Sequence, residues 1–443
     1  MIRDESPAVK GWLARIGREH PKNVLDGLER VHDVAARLGV LRPARKVIVV
    51  AGTNGKGSTA IFLEQVLLSS GARVGATLSP HLHIFNERIR LHGEEVADRS
   101  LIESFEAVEA ARNGVPLNYF EYAVLAALTC FRREDLDFAI LEIGLGGRLD
   151  AFNIIDADVS IITSVGIDHE EYLGSDRDSI GREKAGILRP GKPLIFGELQ
   201  IPGSVERRAK ELGVETYLAG RDFQDHRDPS GWRIEVTEGS ETREHRYREK
   251  PSVAAENAVV ALQAAALVGV SLDSEFISNA LNVRLPGRFE VVDKMDRTWV
   301  FDVAHNPDAA RFLLEQLKKR YPGRKFTGLF GCFMDKNAGQ ILSELSGVLG
   351  QVVYADTTGP RGQLAIELER KVNYGTAVSV GGKIETTVDY LIDTTQSSDL
   401  ILVFGSFDLV ERMRHWLFSV SYTHLRAHET LRYRVCRRLR EKK

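Results

Sequence analysis

Cysteine is nearly absent from this 443-residue chain: Cys130, Cys332 and Cys436 stand far apart, with no C-x-x-C pair. That scarcity excludes a disulfide framework and a cysteine zinc site, and it fits a reducing compartment. No apolar run is long enough to span a bilayer, and the opening "MIRDESPAVK" is polar. A cytoplasmic protein without membrane contact is therefore expected. Neither sign of charge dominates, with 59 Lys and Arg against 62 Asp and Glu, which argues against a general binder of nucleic acid or anionic membrane. Internal repeats and low-complexity segments are lacking too. What remains is a chain too long for one ordinary core, so two domains are expected.

The last stretch is set apart from the rest. "VSYTHLRAHET", Val420 to Thr430, back-translates onto a sequence that resembles a transposon-derived sequencing adapter, so residues 420–443 are expected to be a non-native read-through tail. They hold eight Lys and Arg against two Asp and Glu; without them the body is mildly acidic, with 51 basic and 60 acidic residues.

Periodicity organises the body. "NVLDGLERVHDVAARLGV" places Leu25, Leu28, Val31 and Val34 at helical spacing and stops at Gly39. "KVIVVAG" is a continuous apolar run, followed by a glycine loop and the apolar-periodic helix "STAIFLEQVLLSSG". Further buried-strand runs, "RVGATL", "FAILEIG", "VSIITSVG" and "KPLIFG", alternate with helical stretches, the pattern of a mostly parallel α/β sheet covered on both faces. Between Phe223 and Lys250 the alternating "WRIEVTE" predicts a small antiparallel excursion, and "VAAENAVVALQAAALVG" a closing helix. The Pro-Gly pair of "RLPGRFE" marks a hinge. The expected layout is a first domain over 1–284, a hinge at 285–291 and a smaller α/β domain over 292–419. In the latter, "TWVFDVAHN", "KFTGLFGCF", "QVVYADTT" and "LILVFGSF" supply the strands.

Chemistry concentrates at strand ends, where ligands of such sheets gather. "AGTNGKGST", Ala51 to Thr59, departs from the usual G-x-x-x-x-G-K-[ST] spelling, with only two residues between Gly52 and Gly55-Lys56 and with Gly57 before Ser58. Backbone N–H groups and the Lys56 ammonium at a helix start can still hold phosphate, with Ser58 or Thr59 on Mg²⁺. The competing reading is a glycine turn that serves only tight packing. Glu142 closes an apolar strand, which suits a magnesium ligand or a salt bridge with Arg148. His169 follows another strand in "GIDHEEYLG", and a lone histidine is more often structural. Lys184 in "GREKAGIL" reads by default as a solvated helix-face lysine.

Taken together and in order, "AGTNGKGST", "SPHL" with "NERI", "EIGLGGRLDA.N", "GIDH", "EKAGI", "PGRFE" and "D.AHNP" resemble the folylpolyglutamate synthase and dihydrofolate synthase family of the Mur ligase superfamily. The resemblance runs from about the first helix to Phe418. It implies a P-loop NTPase-like domain and a Rossmann-like C-terminal domain that together join L-glutamate to dihydropteroate or to a reduced folate. ATP and Mg²⁺ would serve an acyl-phosphate route, and a monomer is the family precedent. By motif match, Gly52, Thr53, Asn54, Gly55, Lys56, Gly57, Ser58 and Thr59 form the phosphate loop. Ser58, Glu142, His169 and Ser79 are implied metal ligands. Ser79, Pro80, His81, Phe120 and Asp150 are implied on the side of the pterin acid, Asn257 and Arg288 at ATP, and Asp302 and His305 as second-domain residues serving ATP or glutamate. Lys184 matches a lysine that the family carbamylates, and a monovalent cation is compatible with the set. The chain departs from the family pattern at Phe152, Val303, Asn337 and Val124. Two alternatives stand beside this reading: another Mur-type ligase acting on a cell-wall nucleotide-peptide, and a degenerate ATP-binding regulator.

Overall fold

The computed structural model describes residues 3–19, 27–228, 231–372, 374–375 and 377–419. The adapter-like segment 420–443 and Leu25 lie outside these described residues. Contacts divide the chain into two compact units between Leu285 and Pro286, with Arg3 and Asp4 grouped with the C-terminal unit.

The first unit is built on an eight-stranded sheet. Its strands are β1 (Lys46–Ala51), β2 (Val74–Thr77), β3 (Ile89–Leu91), β4 (Glu94–Glu95), β5 (Phe138–Glu142), β6 (Val159–Ile162), β7 (Leu194–Phe196) and β8 (Thr216–Leu218), in the order β4-β3-β2-β5-β1-β6-β7-β8. All neighbours from β2 to β8 pair in parallel, while β3 and β4 add an antiparallel edge. The continuous apolar run of β1 has its cause here: Val47, Val49 and Ala51 enter one hydrophobic core, and Ile48 and Val50 enter the other, so both faces of the strand are covered. Helices Glu29–Leu38, Asp98–Arg112 and Tyr119–Arg133 lie in the first core. Helices Lys56–Ser69, Ala255–Leu267 and Ser274–Leu281 lie in the second, together with an antiparallel sheet of β9 (Gln224–Asp228), β10 (Gly231–Glu238) and β11 (Glu241–Tyr247). The excursion around "WRIEVTE" thus forms as the alternation predicts, with Trp232, Ile234 and Val236 inward.

The N-terminal region differs from expectation. A helix Pro7–Glu19 precedes the one read from the sequence, and the latter starts only at Glu29. Gly27 has φ +77° and Leu28 sits at the N-cap, so apolar spacing counted from Leu28 or earlier overstates the helix, while Val31 and Val34 are buried in it. Its end is as read: Gly39 closes the helix in the left-handed region at φ +69°, which a residue without Cβ adopts at little cost.

The second unit carries a six-stranded sheet, ordered β12-β13-β17-β14-β15-β16, from β12 (Glu290–Lys294), β13 (Arg297–Asp302), β14 (Phe326–Phe330), β15 (Leu349–Ala355), β16 (Ala377–Val380) and β17 (Leu400–Phe404). Only the β12–β13 pair is antiparallel. The edge strands β12 and β16 are half-buried and lack the apolar run that identifies the central four. Glu290 and Val291, expected in a hinge, already belong to β12. Among the described residues no helix is long and apolar enough to cross a membrane.

Candidate active site

In the first unit the site grows from the carboxyl ends of β1, β5 and β6. After Ala51 the chain turns through Gly52 at φ +150° and Gly55 at φ +86°, and the helix begins at Lys56. Neither glycine leaves room for a side chain: a Cβ on Gly52 would come 1.8 Å from Thr163 Oγ1, and one on Gly55 would come 2.3 Å from Asn257 Oδ1. The helix Ala255–Leu267 thereby brings Asn257 against the loop.

The loop is strapped to the segment after β6. Thr53 N donates to Ser164 O at 2.9 Å, Asn54 N to Ser164 Oγ at 3.0 Å, and Thr163 Oγ1 to Asn54 O at 2.6 Å. Thr53 Oγ1 donates to Gly166 O at 3.1 Å and accepts from Gly166 N at 3.0 Å. Thr163 and Ser164 were legible only as strand residues. The Lys56 ammonium folds back on Gly52 O at 3.0 Å. Ser58 is half-buried, and the buried Thr59 hydroxyl has no hydrogen-bond partner among the described residues.

Glu142 ends β5 and is 3% exposed. Its carboxylate does not pair with Arg148, which binds Glu183 at 3.0 Å instead. Glu142 Oε2 accepts from Ser79 N at 2.7 Å, and a Cβ on Gly57 would sit 3.6 Å from the same oxygen. The first turn of the phosphate-loop helix, the Ser79 segment and Glu142 therefore meet.

From Ser79 the chain runs through Pro80 to His81, whose Nδ1 accepts from Arg88 Nε at 2.7 Å. Burial and the Arg88 charge push the His81 pKa down to about 3, so the ring is neutral with its proton on Nε2. Glu87 secures the turn by accepting from Leu82 N, His83 N and Ile84 N at 2.6, 2.8 and 3.0 Å.

Asp150 serves its own loop. It accepts from Gly144 N, Leu145 N and Phe152 N at 2.9, 3.0 and 3.0 Å, and burial pushes its pKa up to about 6, against the backbone donors and Lys56. Phe120 lies over this loop, since a Cβ on Gly144 would come 2.5 Å from its ring, and it meets Phe152 edge-on with centroids 6.2 Å apart.

Lys184 ends the helix Arg177–Lys184 and is only 2% exposed, which overturns the default of a solvated helix face. Burial, then the charge of Lys56, push its pKa down to about 7, against the pull of Asp168. Asp168, which sequence reasoning passed over although it stands in "GIDH", also accepts from His169 N at 2.8 Å. His169 holds φ +53° and precedes the short helix Glu170–Leu173.

Among the described residues no group of three or more His, Cys, Asp or Glu side chains is gathered to hold a metal. A divalent ion held here would draw on mixed donors such as the Glu142 carboxylate and a hydroxyl of the first helical turn, with phosphate oxygens and water completing the shell. That set suits Mg²⁺, which keeps water and takes one or two carboxylates beside phosphate. The approach of the Gly57 backbone to Glu142 and the orphaned Thr59 hydroxyl fit such an occupant.

In the second unit, Asp302 ends β13 and accepts from Phe289 N at 2.8 Å and Ala304 N at 2.9 Å. Burial pushes its carboxyl above the usual range, against the neighbouring Arg288 charge. His305 Nδ1 donates to Val303 O at 2.8 Å. Phe407, legible only as the end of "LILVFGSF", joins them: the Arg288 guanidinium lies 4.9 Å from its ring centroid and the His305 ring 6.2 Å. Asn337 caps the helix Ala338–Leu345 through Gln340 N at 3.1 Å.

Residues 50–197 match the Mur ligase middle domain, and residues 287–407 match the Mur ligase glutamate ligase domain. The chain is 40% identical over 400 residues to a dihydrofolate synthase/folylpolyglutamate synthase of Escherichia coli K12, covering 90% of this chain and 93% of that protein. The solved structure of E. coli FolC in complex with DHPP and ADP superposes with a TM-score of 0.85 at 38% identity, over 94% of this chain and 98% of that one. The bifunctional enzyme of Yersinia pestis complexed with AMPPNP and Mn ion gives the same TM-score and identity, over 94% of this chain and all of that one. With both domains matched and nearly the full length covered, this chain belongs to the dihydrofolate synthase/folylpolyglutamate synthase family of Mur ligases.

Proposed function

We propose that the chain is an ATP-dependent ligase that joins L-glutamate to dihydropteroate, to a folate, or to both, by way of an acyl phosphate. The observation that carries this reading is the meeting of Glu142, the Ser79 segment and the first turn of the phosphate-loop helix at Gly57, with Lys184 buried within electrostatic reach of Lys56.

A carboxylate is a poor acyl donor, and transfer of the ATP γ-phosphate turns its oxygen into a leaving group. The amine of glutamate then attacks the acyl carbon, the C–O bond to phosphate breaks, and ADP and phosphate are released. The chain's part is to position the reactants and to stabilise charge. Lys56 and the N–H groups of residues 52–59 hold the phosphates. Ser58, Glu142 and His169, with Ser79 beside them, are the residues that would hold Mg²⁺. When bound, the ion neutralises charge on the phosphate oxygens. Asn257 is assigned to the adenine side of ATP. His81, Pro80 and Phe120 are assigned to the acid substrate, with Asp150 shaping their loop. Arg288, Asp302 and His305 are assigned to ATP and glutamate.

Lys184 is assigned as a carbamylated lysine. Carbamylation joins the neutral amine to CO₂ with loss of one proton, and an amine with a pKa near 7 is neutral in an appreciable fraction at ordinary pH. The product is an anion, which replaces like-charge repulsion with Lys56 by attraction. A cytoplasmic monomer remains the proposed state.

The test is to incubate the purified protein with ATP, Mg²⁺, L-glutamate and either dihydropteroate or a reduced folate, and to weigh the products. Addition of one glutamate with release of one ADP is expected. ATP turnover indifferent to glutamate and to the pterin acid would refute the ligase reading in favour of a regulator.

A further inference from the structure

We propose that Arg88 is a substrate-binding residue whose guanidinium receives the carboxylate of the acid to which glutamate is joined. The proposal rests on the ligase reading and adds to it the group that recognises the reacting carboxylate.

Arg88 closes the turn Phe85–Arg88 and leads directly into β3. Two contacts fix its head. Nε donates to His81 Nδ1 at 2.7 Å, and the guanidinium lies 5.6 Å from the centroid of the Phe85 ring. The first contact ties Arg88 to the segment whose Ser79 N–H is bonded to Glu142, so the head stands on the acid side of the site.

Other partly buried arginines of this unit each have a carboxylate: Arg30 pairs with Glu121, Arg90 with Glu64, and Arg189 with Asp156. Among the described residues Arg88 has none within ion-pair distance; the only groups that pull its pKa upward, Tyr119, Glu142 and Glu87, act through space. Burial lowers that pKa, which is the mark of a desolvated cation without a close counter-ion. A guanidinium does not shed its proton under these conditions, so the charge stays and an anion is called for. With Nε committed to a neutral histidine, the two terminal nitrogens keep the planar fork that matches a carboxylate.

Arg88 belongs to the acid segment and not to the phosphate loop, where Lys56 and backbone N–H groups already serve the triphosphate. Glu142 lies within electrostatic reach and would repel a second carboxylate by itself. Mg²⁺ held at Glu142 would offset that repulsion and let Arg88 receive the acid.

The experiment measures binding of dihydropteroate and of its carboxamide analogue, in the presence of Mg²⁺ and AMPPNP, to the wild-type protein and to Arg88→Gln and Arg88→Lys. A merely structural role would weaken both pterins alike, whereas a carboxylate contact is lost only from the acid. The wild-type protein is expected to prefer the acid on the order of 10- to 100-fold. Arg88→Gln is expected to abolish that preference while keeping affinity for the amide and for AMPPNP, and Arg88→Lys to retain part of it. Equal loss for acid and amide in Arg88→Gln, or loss of AMPPNP binding in its place, would overturn the assignment. If Arg88→Gln fails to fold, the decision passes to Arg88→Lys, for which an undiminished acid preference overturns it. A wild-type protein that binds neither pterin refutes the ligase reading itself, and is thereby told apart from failure of Arg88 alone.

Discussion

The ammonium of Lys56 donates to the carbonyl of Gly52 at 3.0 Å, four residues back along the same loop. A lysine held in this way folds back over its own loop, and its long stem lets it exchange a carbonyl for a phosphate oxygen without moving the backbone. Lys56→Ala removes that charge while the glycine turn and its straps to Thr163 and Ser164 remain. Ligation is expected to fall by about 10³-fold or more, with little change in melting temperature. Coupled measurement of ADP release checks this, and near-normal turnover would remove Lys56 from its role.

Glu142→Gln retains an oxygen for the Ser79 N–H but loses the negative charge. The Mg²⁺ concentration for half-maximal activity is expected to rise on the order of 10-fold or more, and the rate at saturating metal to drop with it. Titration of activity against Mg²⁺ reads both. An unchanged Mg²⁺ requirement counts against Glu142 as a ligand.

Gly52→Ala places a methyl group 1.8 Å from Thr163 Oγ1 at a backbone angle that favours glycine. Either the loop or the post-β6 segment must shift, at a cost of about 2–4 kcal/mol. Denaturant unfolding together with nucleotide binding checks it; wild-type values in both would show that the loop has slack.

Lys184 links pH to stability and to activity. Its folded-state pKa of about 7 lies below the ordinary 10.5, so between these values the unfolded chain binds more protons than the folded one, and the lysine's destabilising effect diminishes as pH rises from 7 to 10.5. Below pH 7 the effect is fully present. Lys184→Met, which keeps the volume without the charge, is expected to raise stability by roughly 3–5 kcal/mol below pH 7 and progressively less above it, and to abolish ligation. For the native enzyme, activation by added CO₂ is expected to grow as pH rises through about 7. A CO₂-independent rate across that range rejects the carbamate.

The strand, glycine loop and helix around Lys56 were legible because each is a local pattern: an apolar run, residues without Cβ, then apolar spacing at helical period. The same holds for the central strands of both sheets. Strands β12 and β16 were not legible, because an edge strand buries one side only and leaves no continuous apolar run.

The ordered motifs alone determined the family, and with it the expected chemistry, because spacing along a chain is itself sequence information. Tertiary structure decided the partners: that Glu142 meets the Ser79 N–H while Arg148 turns to Glu183, that Asp150 gathers its own loop, and that Lys184 is buried close to another lysine. Desolvation and choice of partner depend on atoms contributed by residues distant in the chain, and periodicity carries no record of which distant atoms arrive.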